Sequence, residues 1–112
     1  MATMIFFYNP KPGVSIEEFK QFLDSVDTPA CLSQPSAIST RILRILDDNS
    51  PYAMVEILEV SNFEEWDQDS KSQIIKDVMS QWPSFGDINT LKAYKCVDYP
   101  TGAPDPRIAV TG

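Results

Sequence analysis

The order of apolar segments in this sequence predicts an α+β domain in which four strands and two helices follow one another as βαββαβ. Three observations carry that prediction. Two helix-start signatures, Ser15 with Glu18 and Ser61 with Glu64, each precede side chains recurring at helical spacing. Four runs rich in aromatic and β-branched residues surround them, and the middle two are separated only by the turn-forming Asp47-Asp48-Asn49-Ser50-Pro51.

Taken in order, residues 3 to 9, TMIFFYN, read as a first strand ended by Asn9-Pro10-Lys11-Pro12-Gly13. Ser15 then opens a helix over 15 to 26, with Ile16, Phe19, Phe22, Leu23 and Val26 on its apolar stripe. Asp27 to Ser36 forms a two-proline connector, with room for one helical turn capped by Thr28 and starting at Pro29. Residues 37 to 46 and 52 to 60 make an antiparallel hairpin. A second helix follows Ser61 and runs to Trp82, where Pro83 stops it; small Ser70 fills a gap in its stripe of Phe63, Trp66, Ile74 and Val78. Residues 90 to 98 supply the fourth strand. The domain thus spans 1 to 99, and residues 100 to 112 form an extended C-terminal tail.

This order is the split βαβ of a ferredoxin-like sandwich, whose right-handed crossovers place both helices on one sheet face. The other face is bare, yet strands one and three are apolar on both sides. Ile5 and Phe7 alternate with Met4 and Phe6, and Val55 and Ile57 with Met54 and Leu58. A patch of that size is more than a soluble monomer normally exposes, so two sheets are expected to pack face to face in a homodimer. Arg41, Arg44, Lys92 and Lys95 fall on the two edge strands, where charge discourages unwanted pairing.

Composition narrows the chemistry. The 112 residues include no histidine, which excludes Ser-His-Asp and Cys-His nucleophile systems, His-containing zinc sites and His-ligated haem. Four dispersed glycines give no phosphate-cradling loop. A net charge of −7 argues against nucleic acid and anionic membrane surfaces as partners. The absence of a signal-like or spanning segment, together with two cysteines lacking a CxxC spacing, points to a cytoplasmic protein with free thiols. No cofactor or metal is expected.

Glu56 is the most informative residue, an acid at the centre of the apolar strand MVEILEV. A carboxylate there is paired, protonated or useful. One reading pairs it with Arg41 or Arg44 on the neighbouring strand; the other makes it a general acid or base of raised pKa, with Arg41 and Tyr8 as helpers. Tyr8, Tyr52 and Tyr94 either line one cavity or pack in the core with satisfied hydroxyls. Trp66 and Trp82, with Phe19 and Phe22, either wall a pocket for a flat aromatic molecule or pack against the sheet. Tyr52, Tyr94, Phe19, Trp66 and Arg44 are the ligand-binding candidates. Cys31 has no base to activate it and is expected to be inert.

The connector Asp27-Thr28-Pro29 with Leu32 and Pro35-Ser36, then Tyr52, Glu56-Ile57-Leu58-Glu59-Val60 and Phe63, resembles the RedY-like family, nearest its HapK/PigK type encoded with prodigiosin pathways. The resemblance covers residues 4 to 99. It implies a cofactor-free dimeric α/β barrel acting on or holding a small aromatic, pyrrole-type ligand in the bipyrrole branch of pigment biosynthesis, alongside other pathway enzymes. The acid-base chemistry of some relatives is expected to involve histidine, and this sequence departs there. Either Glu56 with a tyrosine and an arginine moves the proton, or the protein is a non-catalytic, chaperone-like binder of an intermediate. A dimeric ligand-sensing domain is the third alternative.

Overall fold

A computed structural model describes residues 2–105 and 107 of the chain, so the end of the 100–112 tail lies outside the described residues. Four strands, β1 (Ala2–Tyr8), β2 (Ala37–Arg44), β3 (Met54–Val60) and β4 (Lys92–Val97), form one antiparallel sheet in the order β2-β3-β1-β4. This is the ferredoxin-like α+β arrangement expected from the sequence, with the two-sided apolar strands β1 and β3 at its centre and the Arg- and Lys-bearing β2 and β4 at its edges.

Strand alternation sorts the side chains. On β3, Met54, Glu56, Leu58 and Val60 are buried under the helices, while Val55, Ile57 and Glu59 lie on the open face and are half-buried. The β1 register places Met4, Phe6 and Tyr8 opposite Leu58, Glu56 and Met54 on the helix side. Two connected apolar clusters fill the interior. Tyr8, Phe19, Phe22, Leu23, Met54, Val78 and Trp82 form one, and Met4, Cys31, Leu58, Val60, Trp66 and Ile75 the other.

The helices differ from expectation at three places. Ser15 caps α1 (Ile16–Phe22) by accepting from the Glu18 N–H, as its spacing predicts, but the helix does not end before the connector. It passes through a π-helical segment, Leu23–Asp27, straight into α2 (Thr28–Leu32). Two residues account for the change in winding. Pro29 has no N–H to donate to the Ser25 carbonyl, and the Ser25 hydroxyl bonds back to the Gln21 carbonyl at 2.6 Å, competing with the helical ladder. The Thr28 N–H therefore reaches back to the Leu23 carbonyl, and Thr28 is inside the helical run rather than its cap.

The second helix is two helices. α3 (Phe63–Asp69) ends at Ser70, and Ser72 caps α4 (Gln73–Gln81) by accepting from the Ile75 N–H. Ser70 is thus a helix terminus and not a gap in a continuous stripe. The bend is anchored from outside, since Asp69 Oδ2 accepts from the Ser36 N–H at 2.9 Å. At the start of α3 the cap is Asn62, accepting from the Glu65 N–H at 2.8 Å, and Ser61 instead donates its hydroxyl to Glu65 Oε2 at 2.7 Å. After α4 a single 3₁₀ turn, Trp82–Ser84, brings Pro83 in and ends the helix where the sequence predicts. Gly86 follows because nothing larger fits: a Cβ there would stand 2.5 Å from the Trp82 ring.

Among the described residues no helix is long and apolar enough to cross a membrane. Both cysteines are free thiols.

Candidate functional site

Between the helix side of the sheet and the helices lies a cavity of about 310 Å³, at the lower end of the range for small-molecule sites. Each wall comes from a different element for a local reason. β1 contributes Phe6 and Tyr8 and β3 contributes Glu56 through strand alternation. The π-helical segment contributes Asp27, which lies four residues after Leu23 and so shares its buried side. α2 gives Cys31, α3 gives Trp66 and Asp67, and the helix-to-turn junction after α4 gives Trp82.

The polar groups form two linked hydrogen-bonded sets. The Tyr8 hydroxyl donates to Glu56 Oε1 at 2.9 Å, and both residues are buried. The Cys31 thiol donates to Asp27 Oδ1 at 3.5 Å, and the Trp82 indole also bonds to the Asp27 carboxylate. Trp82 is held in turn by edge-on contacts with Tyr8 and Phe19, the ring centroids being 5.4 and 5.5 Å away.

Electrostatics follow from burial without a counter-ion. Burial, then the charge of nearby Asp27, pushes the Glu56 carboxyl up to about 7, with the Tyr8 hydrogen bond pulling the other way. Burial also raises Asp27, opposed by the bonds from Cys31 and Trp82. The two acids titrate together, and near neutral pH the pair retains a proton. Burial, then the Asp27 carboxylate, pushes the Cys31 thiol well above the usual thiol range. Burial, then Glu56, does the same to the Tyr8 phenol. The group poised to exchange a proton near neutrality is therefore the carboxyl pair.

The eight residues singled out from the sequence separate into distinct places. Glu56, Tyr8 and Trp66 line the cavity. Phe19 sits behind it, fully buried against Tyr8 and Trp82. Arg41 does not meet Glu56: it pairs in register with Ile57, so it projects from the open sheet face and is exposed. Arg44 does not meet Glu56 either. Its guanidinium donates to the Ile45 carbonyl and to the Ala53 carbonyl, the latter at 2.9 Å, and it borders a separate groove of about 500 Å³ beside α1. The Arg–Glu pairing expected as one reading of the strand is thus absent among the described residues.

Tyr52 and Tyr94 also lie away from the cavity. Tyr94 pairs with Ile5 on the open face, and the Tyr52 and Tyr94 rings flank Phe7 there, at 5.3 and 6.2 Å. For Tyr52 the cause is local. Its N–H bonds the Ser50 hydroxyl and the next N–H bonds Asn9 Oδ1, so the chain joins the ladder only at Met54 and the strand's alternation does not extend back to residue 52.

The residue that sequence reading passed over is Asp27. It stood in a connector, just beyond the end of the helix read from the sequence; four residues after Leu23 and eight after Phe19, it falls on the buried stripe once the helix runs on.

The fold and the cavity define a ferredoxin-like α+β protein with a buried acidic site under the helices. The chain belongs to the REDY-like HapK family, whose model matches residues 2–97. Solved structures agree on the fold. HapK from Hahella chejuensis superposes with a TM-score of 0.71 at 19% identity, covering 93% of this chain and 100% of that one. At3g17210 from Arabidopsis thaliana gives 0.79 at 8% identity, over 92% and 100%. SnoaB, a cofactor-independent oxygenase from Streptomyces nogalater, gives 0.71 at 11% identity, over 92% and 97%. No curated protein matches the sequence.

Proposed function

We propose that this protein is a cofactor-independent member of a prodigiosin-type pathway that binds a pyrrole intermediate of the bipyrrole branch in the acidic cavity and moves a proton on it. The observation that carries the reading is the placement of Glu56 and Tyr8, hydrogen-bonded to each other inside an aromatic-walled cavity with no basic side chain against the carboxylate among the described residues. A carboxyl pushed up to about 7 is near the optimum for exchanging protons at neutral pH. In its protonated form Glu56 delivers a proton to a ring carbon or leaving oxygen, and in its ionised form it takes one back, with Tyr8 holding Oε1 in place. Phe6 and Trp66 supply flat apolar surface for the ring. Family membership supports a biosynthetic or accessory role.

The working unit in this reading is a homodimer. Ile5, Phe7, Val55 and Ile57 form a continuous apolar strip on the helix-free face, and Tyr94 is 52% exposed beside it. A second copy covering that strip leaves the cavity, on the other side of the sheet, in place.

A second reading, binding without turnover, is favoured by one feature: among the described residues the cavity wall holds no cation to stabilise negative charge developing on a substrate. Deleting the gene and identifying the accumulated intermediate tests both. That intermediate, incubated with purified protein, is converted if the first reading holds and recovered unchanged but bound if the second does. No accumulation of any pyrrole compound overturns both.

A further inference from the structure

We propose that the cavity is a receptor for a positively charged planar nitrogen heterocycle, of amidinium or protonated-imine type, whose N–H groups bond Asp27 and Glu56. This rests on the reading above that the cavity takes a nitrogen heteroaromatic, and narrows it to a charge state.

The argument is one of hydrogen-bond accounting. The donors in the wall are already used: the Tyr8 hydroxyl on Glu56, the Cys31 thiol and Trp82 indole on Asp27, and the Ser70 hydroxyl on the Asp67 carbonyl. What remains toward the cavity is acceptor. Glu56 is 7% exposed and lines the space, and Tyr8 occupies only its Oε1; Oε2 has no hydrogen-bond partner among the described residues. An ionised carboxylate oxygen left open toward the cavity in this way is the natural partner for an incoming donor. Once the carboxyl pair is ionised, an anion or a pure acceptor finds no free donor in the wall.

The charges around the pair agree. β1 contributes Tyr8, the π-helical segment Asp27, α2 Cys31, β3 Glu56 and α3 Asp67, none of them cationic, and α4 brings only apolar side chains to the wall. Lys95 on β4, which reaches the wall at Asp67, is bound to that carboxylate at 3.0 Å and is itself half exposed. A cation entering between Phe6, Trp66 and Trp82 also gains from the ring faces. Asp27 strengthens the case, since it is buried in the same lining and brings a second carboxyl beside the first.

Calorimetry with three probes, benzamidine as the cation, benzamide as its neutral isostere and indole as a neutral N–H heterocycle, separates the possibilities at about pH 8 and about pH 5, on either side of the Glu56 transition. Benzamidine is expected to bind at least about ten-fold more tightly than benzamide at the higher pH and to lose about ten-fold at the lower, as the pair protonates. Glu56→Gln is expected to remove about ten-fold of benzamidine affinity while leaving indole within about three-fold. Asp27→Asn, with circular dichroism to show that it folds, is expected to act in the same direction.

Equal affinity for benzamidine and benzamide, or benzamidine binding indifferent to both pH and Glu56→Gln, overturns the proposal. If indole still binds in that case, the heterocycle reading survives without the charge. If none of the three binds, both fall.

Discussion

Tyr8 and Glu56 are diagonal neighbours on adjacent strands, Tyr8 opposite Met54 and Glu56 opposite Phe6, and the 2.9 Å bond between them spans that diagonal beneath the helices. Diagonal positions on one sheet face lie about 7–8 Å apart at the backbone, within reach only of long side chains. Tyrosine and glutamate close that gap. Shortening either breaks the contact, and phenylalanine at position 8 would leave Oε1 as orphaned as Oε2.

Tyr8→Phe is therefore expected to raise the Glu56 carboxyl further, because the hydrogen bond that opposes the upward shift is lost. The midpoint of the Glu56 carbonyl band, followed by infrared difference titration, should move to higher pH. A midpoint that stays put or falls would show that the phenol does not govern this carboxyl.

Glu56→Gln is expected to stabilise the protein above neutrality. The folded-state value, about 7, lies above the ordinary 4.5, so between those values the native state binds more protons than the unfolded chain and stability falls as pH rises. The cost is absent below about 4.5, grows through the interval and is complete above about 7, where it amounts to roughly 3 kcal/mol at most. Urea unfolding of wild type and variant should diverge at pH 8 and converge at pH 4, within the range set by these values. Divergence in acid instead would reverse the sign and defeat the assignment.

Gly86→Ala should destabilise the fold by about 1–3 kcal/mol, the usual cost of forcing an extra carbon into a packed core. The added Cβ meets the Trp82 ring at 2.5 Å, and that ring is pinned by Tyr8, Phe19 and Asp27. An unchanged denaturation midpoint would mean that the ring yields freely.

Cys31 should resist thiol reagents in the native state at pH 8 and react fully once the chain is unfolded in urea, since burial and Asp27 hold its proton on. Fast labelling of Cys31 in folded protein would count against its burial beside Asp27.

Ile57→Lys, on the open face and away from the cavity, should convert a particle of roughly twice 12.6 kDa into one of 12.6 kDa while leaving the helix-side packing intact. Light scattering at micromolar concentration reads the difference. A wild-type monomer would remove the face-to-face dimer.

Strand order, the two faces of β3 and the isolation of Glu56 were legible because each follows from a period of two and a few turn residues. The pattern works wherever the ladder is regular. It misleads at Tyr52, where hydrogen bonds to Ser50 and Asn9 hold the chain outside the ladder, and it cannot say that Arg41 shares a face with Ile57 rather than with Glu56 until the register is known. The helix boundaries were harder for a different reason. Ser70-Lys71-Ser72 interrupts a stripe of Phe63, Trp66, Ile74 and Val78 that still looks helical, but the break turns Ile75 to the core with Val78 and leaves the expected Ile74 exposed. Asp27 was missed because the helix was ended one residue before it, although its spacing from Leu23 continues the buried stripe.

The π-helical stretch makes the site tolerant of chain length. The Thr28 N–H reaches the Leu23 carbonyl across one residue more than an α-turn holds, so removing a single residue between Leu23 and Asp27 would leave an ordinary helical bond between the same two groups. α1 and α2 would then join as one α-helix with α2 keeping its face, and Asp27 and Cys31 would stay on the buried side. One backbone unit is thus absorbed locally, and related chains that lack it would carry the same fold with the same pair of carboxyls.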